Sequence, residues 1–143
     1  MVLVATFIKR PGPRWTGLLP WRVLLRLRAP GVVLRWLVAG RGASPVLLRQ
    51  IREASRAVSS DVLAARIREH LIVNVVRELR RIAVPILYLQ GVKDRLIRPQ
   101  AWRTIRRAKP EVVLARIAAP HMVLQTAPKE SWEKIVRFAG ESA

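Results

Sequence analysis

Val84-Pro85-Ile86-Leu87-Tyr88-Leu89-Gln90-Gly91-Val92-Lys93-Asp94, with Ala119-Pro120-His121-Met122-Val123-Leu124-Gln125-Thr126-Ala127-Pro128 further on, is the stretch whose reading decides the fold. An apolar run starts after Pro85 and closes in Gly-x-x-Asp, and a His arrives 27 residues after that Asp. A short unbroken apolar run bounded by Pro and Gly is the pattern of a strand covered on both faces, as in parallel sheets. Neighbouring parallel strands bring the loops at their C-terminal ends side by side, one helix apart in sequence, so Asp94 and His121 can meet there.

Two more runs have the same character: Val2 to Ile8, and Val112 to Ile117 after Pro110. Each of the last two strands is followed by helical sequence, which predicts an α/β layer architecture. Ser44-Pro45 reads as an N-cap with Pro at the first helical position, followed by an apolar face of Val46, Leu47, Ile51, Ala54 and Val58. Ser60 with Asp61 opens a second helix through about His70, and Asn74 is expected to cap a third that carries Glu78 and Arg80 and ends before Val84-Pro85. Helices over Pro99 to Arg107 and Lys129 to Ala139 complete the set. The connection between the first two strands is far longer than an ordinary crossover and reads as an inserted cap.

The order of strand, Asp94, helix, strand, His121 and final helix resembles the C-terminal half of the α/β-hydrolase family, and the resemblance covers nearly all of the chain. In that family the acid follows the seventh strand and the His the eighth. The resemblance implies an α/β fold class: a partial α/β-hydrolase fold of about three parallel strands, the sixth to eighth of the family, with flanking helices and a helical cap. Residues 1–10 then supply a core strand, 11–82 the cap and its return helix, and 83–143 the C-terminal core with the acid and His loops. The implied chemistry is hydrolysis of carboxylic esters or related acyl bonds. Asp94 would orient His121 and stabilise its imidazolium, and His121 would act as general base toward a Ser. Asp61, the one other Asp, sits at the start of a cap helix. Taken singly, Gly-x-x-Asp is also an ordinary Asx-turn or helix cap, and a His after a strand is commonly structural.

The family's G-x-S-x-G nucleophile elbow does not occur. Gly40-Arg41-Gly42-Ala43-Ser44-Pro45 has the wrong spacing, and Pro45 lacks the N–H an oxyanion hole requires. Ser55, Ser59, Ser60, Ser131 and Ser142 fall in or beside helical segments or in the tail, so no nucleophile is assigned. The expectation is an N-terminally truncated hydrolase that is inactive alone, aggregation-prone unless a partner covers its open sheet edge, and in need of its missing N-terminal half. The alternatives are one part of a split hydrolase, or a non-catalytic basic remnant that binds an anionic surface or nucleic acid, with Arg22, Arg26, Arg28 and Arg35 as contacts.

Composition narrows the remaining classes. The 143 residues carry 27 Lys plus Arg against 9 Asp plus Glu, a net charge of +18, with 51% hydrophobic residues, enough for a packed core. No Cys and only His70 and His121 exclude thiolate zinc sites, iron–sulfur clusters and Cys nucleophiles. No cofactor or metal is implied. Arg is spread over nearly every segment with no long basic run or aromatic platform, which argues against a nucleic-acid module. No apolar stretch approaches the roughly 18 residues of a membrane span. Without a signal sequence the default location is cytoplasmic, and the implied partner is a small ester or acyl substrate. Trp15, Trp21 and Trp36 are candidates for an acyl pocket or for lid packing. Trp102 and Trp132 are expected to pack the two C-terminal helices.

Overall fold

A computed structural model describes residues 1–10, 16, 18–21, 23 and 31–141. Trp15, Arg22, Arg26, Arg28 and Ser142 lie outside the described residues. In chain order the elements are β1 (Val2–Val4), α1 (Gly31–Leu34), a wide helical turn over Arg35–Ala39, α2 (Pro45–Arg56), α3 (Ser60–Ile72) and α4 (Val76–Arg81). Then follow β2 (Leu87–Gly91), α5 (Gln100–Ala108), β3 (Val113–Ile117), α6 (Val123–Thr126) and α7 (Pro128–Glu141).

The three strands form one parallel sheet in the order β1-β2-β3, with Val4 and Ala115 on either side of Leu89 and Leu3 and Leu114 on either side of Tyr88. The two-residue period sends alternate side chains to opposite faces. Ile86 and Tyr88 join Ile8, Leu79, Ile105 and Val112 under α4 and α5, while Leu87 and Leu89 meet Phe138 of α7 on the other side. The central strand is wholly buried, as its sequence requires. Fully burying a side chain such as Ile105 or Leu89 contributes roughly 1.5–3 kcal/mol, so this double cover holds the sheet together.

Several expectations need correction. The first strand is not Val2 to Ile8: pairing stops at Val4, and Ala5 takes a left-handed backbone, φ 43°. Ala5 still donates its N–H to Leu89 O at 3.0 Å, and Ile8 is buried beside Leu79, so the run is apolar because its turn is buried too. The outer strands are not covered on both faces, since Val2 is 37% and Val113 48% exposed. Asn74 does not cap α4; it forms an isolated antiparallel bridge with Lys9, and α4 begins after Val75 without a side-chain cap. The cap of α3 is Ser59, one residue before the expected start; its hydroxyl accepts the Val62 N–H. Trp132 is 66% exposed and does not join the core, whereas Trp102 stacks on Tyr88 with ring centroids 5.8 Å apart. Ser44 does cap α2, with Pro45 following: its hydroxyl accepts the Leu47 N–H at 3.1 Å. Among the described residues no helix is long and apolar enough to cross a membrane.

Candidate functional site

The acid loop leaves β2 at Gly91 and turns at once, with the Asp94 N–H donating to Gly91 O at 3.1 Å. Two further amides, those of Val92 and Lys93, donate to Ile117 O and Ala119 O at 2.9 and 3.0 Å, tying the acid loop to the chain leaving β3. This close approach requires a glycine. A Cβ on Gly91 would lie 2.6 Å from Pro120 O and 2.7 Å from Ala119 O. The Gly of Gly-x-x-Asp is thus a packing requirement between the loops that follow β2 and β3.

Asp94 divides its carboxylate. Oδ1 accepts the Leu96 and Ile97 N–H groups, both at 2.8 Å, and Oδ2 lies 3.0 Å from His121 Nδ1. The Asx-turn and the contact with His121 are therefore made together, one oxygen serving each. The Asp94 side chain is 2% exposed and that of His121 24%. A carboxylate on Nδ1 orients the imidazole and leaves Nε2 as its free nitrogen. His121 itself follows Pro120 and precedes a tight turn in which Val123 donates to His121 O, with α6 starting beyond.

The segment before α2 closes over this end of the sheet. Met122 donates its N–H to Val38 O, and Gly40, at φ 78°, is packed so closely that a Cβ there would lie 3.0 Å from Pro120. Between this segment and the two loops lies a cleft of about 780 Å³, bordered by Trp36, Arg41, Leu47, Lys93, Asp94 and Arg95 among others. His121 does not line it, so the cleft adjoins the acid's side of the pair.

Beneath the site, Tyr88 donates its hydroxyl to Thr6 O at 2.9 Å. Its phenol is pushed up to about 12, first by burial and next by the Asp94 charge, partly offset by that hydrogen bond. Sequence reasoning finds in Tyr88 only a strand residue, because no spacing signals its place under the acid. His70, exposed on α3, makes a ring contact with Phe7 and stands apart from the pair. Among the described residues no cluster of His, Asp and Glu that would hold a metal ion occurs.

No family model matches the sequence, nor does any curated protein. Solved structures do. A hydrolase from Pseudomonas aeruginosa superimposes with a TM-score of 0.77 at 20% identity, covering 97% of this chain and 54% of its own. A putative aryl esterase from Burkholderia cenocepacia gives 0.77 at 17% identity over 99% of this chain and 54% of its own. An alpha/beta hydrolase enzyme from a deep-sea metagenome library gives 0.61 at 16% identity over 98% and 55%. The three parallel strands and their flanking helices are therefore a partial α/β-hydrolase fold, matching its C-terminal half. The chain spans about 54% of the first structures it matches.

Proposed function

We propose that Asp94 and His121 are the acid and the general base of a Ser-His-Asp hydrolase acting on carboxylic esters or related acyl bonds. The observation that carries this reading is the 3.0 Å contact between His121 Nδ1 and a buried Asp94 oxygen, across adjacent loops at the C-terminal ends of parallel strands. His121 would take the proton of an attacking hydroxyl at Nε2 and return it to the leaving group, while Asp94 would stabilise the imidazolium without itself being protonated. No G-x-S-x-G occurs in these residues, so the nucleophile and the oxyanion hole would come from polypeptide outside them, and the 143 residues alone would be inactive. Residues 11–82 would act as the cap over a small acyl substrate.

The test combines the chain with a polypeptide carrying a G-x-S-x-G half of this fold, in cis or by co-expression, and follows hydrolysis of a p-nitrophenyl ester. Activity should require both parts, vanish in His121→Ala and fall by about 10⁴-fold in Asp94→Asn. Turnover that survives His121→Ala would overturn the assignment.

A second reading, a basic module for anionic surfaces, has one specific observation behind it. The neighbouring helices α4 and α5 expose Arg77, Arg80, Arg81, Arg103, Arg106 and Arg107 against the single acid Glu78, whereas α7 on the opposite face balances three cations with three acids. Binding to duplex DNA that weakens steeply with salt and is lost on charge reversal of these Arg residues would favour it.

A further inference from the structure

The cleft beside Asp94 carries a charge pattern that the hydrolytic reading does not use. Arg41 enters it from the turn before α2, and Lys93 and Arg95 enter it from the acid loop. Its one carboxylate, Asp94, is committed to two backbone amides and His121. None of the three cations forms an ion pair among the described residues. Arg95 is held in place: its guanidinium carbon lies 4.4 Å from the centre of the Trp36 ring, and Nη1 donates to Trp36 O at 3.5 Å. The remaining wall is mixed, apolar at Ala39, Ala43, Leu47 and Val92 and polar at Ser44, Gln125 and Thr126.

We propose that this cleft binds a small organic anion, with a carboxylate or phosphate head among Arg41, Lys93 and Arg95 and an apolar body along Trp36 and Leu47. Its volume of about 780 Å³ suits a small molecule. Cations on a concave wall focus a positive potential beyond that of isolated surface charges, and guanidinium groups match oxyanions with paired N–H donors. The half-exposed indole of Trp36 and the Leu47 side chain offer a flat apolar surface that inorganic anions would leave unfilled. Because His121 does not line the cleft, the bound anion sits beside the acid–base pair. The inference rests on the composition of the cleft, independently of the catalytic reading; if both hold, the cleft holds the anionic part of an acyl substrate.

The test is calorimetric titration of the purified chain with 1-naphthoate, 1-naphthyl phosphate, inorganic phosphate and neutral 1-naphthamide. At least one aromatic anion should bind about tenfold or more tighter than both naphthamide and inorganic phosphate. The triple variant Arg41→Gln, Lys93→Gln, Arg95→Gln should lose about tenfold, and Arg41→Gln alone a smaller part of that. A control triple, Arg103→Gln, Arg106→Gln, Arg107→Gln, removes the same charge from α5 and should change binding by less than about twofold. His121→Ala should bind as the native chain does, which separates this inference from the hydrolytic one. Equal losses in the two triple variants would show a diffuse effect of net charge and overturn the proposal. So would naphthamide or inorganic phosphate binding as tightly as the better of the two aromatic anions.

Discussion

Replacing Gly91 with Ala tests whether the acid and His loops are held by direct backbone contact. The added methyl would lie 2.6 Å from Pro120 O, 2.7 Å from Ala119 O and 3.2 Å from Val123 Cγ2. Carbon and oxygen ordinarily meet no closer than roughly 3.3 Å, so the His loop must retreat by more than half an ångström. Neither obstacle is a flexible side-chain end; both oxygens belong to backbone. The retreat would stretch the bonds from Val92 to Ile117 and from Lys93 to Ala119, each contributing about 1 kcal/mol. Forced overpacking adds about 1–3 kcal/mol. Against this stands a gain of about 0.5–1 kcal/mol from removing a strand glycine. The expected net loss is about 2–4 kcal/mol in urea unfolding, with separation of Asp94 from His121. Gly140→Ala is the control: among the described residues nothing outside its own helix lies within 4 Å of the point its Cβ would occupy and it sits in α7, so it should be neutral or stabilise by up to about 1 kcal/mol. An unfolding free energy for Gly91→Ala within about 0.5 kcal/mol of the native chain would refute the argument.

Three further outcomes are expected. The folded state keeps the Tyr88 proton up to about pH 12 while an unfolded tyrosine releases its proton near 10, so stability should fall as pH rises from 10 toward 12, by on the order of 2 kcal/mol. Tyr88 is the one tyrosine in the chain, so tyrosinate absorbance reports it alone, and a midpoint near 10 in the folded protein would sink the idea. Ser131 is buried on α7 with no hydrogen-bond partner for its hydroxyl among the described residues, so Ser131→Ala should stabilise by about 1 kcal/mol in the same unfolding assay. Asp94→Ala should cost more stability than His121→Ala, about 2–3 against about 1 kcal/mol, because only Asp94 also holds the Leu96 and Ile97 amides; equal costs would count against the divided carboxylate.

The strands around the site were legible because burial on two faces leaves an unbroken apolar run, and Ile86 to Leu89 is one. The meeting of Asp94 and His121 was legible because parallel pairing itself sets their loops side by side. What was not legible depends on contacts between distant segments. Ile8 is apolar like a strand residue, yet it is buried past a left-handed turn at Ala5, and a run of hydrophobicity carries no mark of that turn. Asn74 has the side chain of a helix cap, but its backbone pairs with Lys9, more than sixty residues away. Trp132 has a residue type usually packed, and its place on the outer side of α7 follows from the side on which Phe138 and Ile135 meet the sheet. The crowding at Gly91 appears only when both loops are placed.

The arrangement of these bonds bears on how much of a hydrolytic site can stand on its own. Asp94 is held chiefly by its own loop, through amides two and three residues ahead, and His121 by the turn that leads into α6. The two loops are then clamped by backbone bonds running from the acid loop to the end of β3, and none of these contacts involves β1 or the sheet edge beyond it. Asp94 and His121 are therefore brought together chiefly by β2, β3 and their loops, with the segment before α2 adding the Met122-to-Val38 bond and the Gly40 contact on Pro120. On the proposed reading, a nucleophile would have no comparable local support among the described residues, because it requires a strand-to-helix elbow and oxyanion amides beside His121 Nε2. On that reading, the orientation of the base and the placement of the nucleophile would be physically separable. Joining a second polypeptide segment at β1 would add the nucleophile without having to build the base.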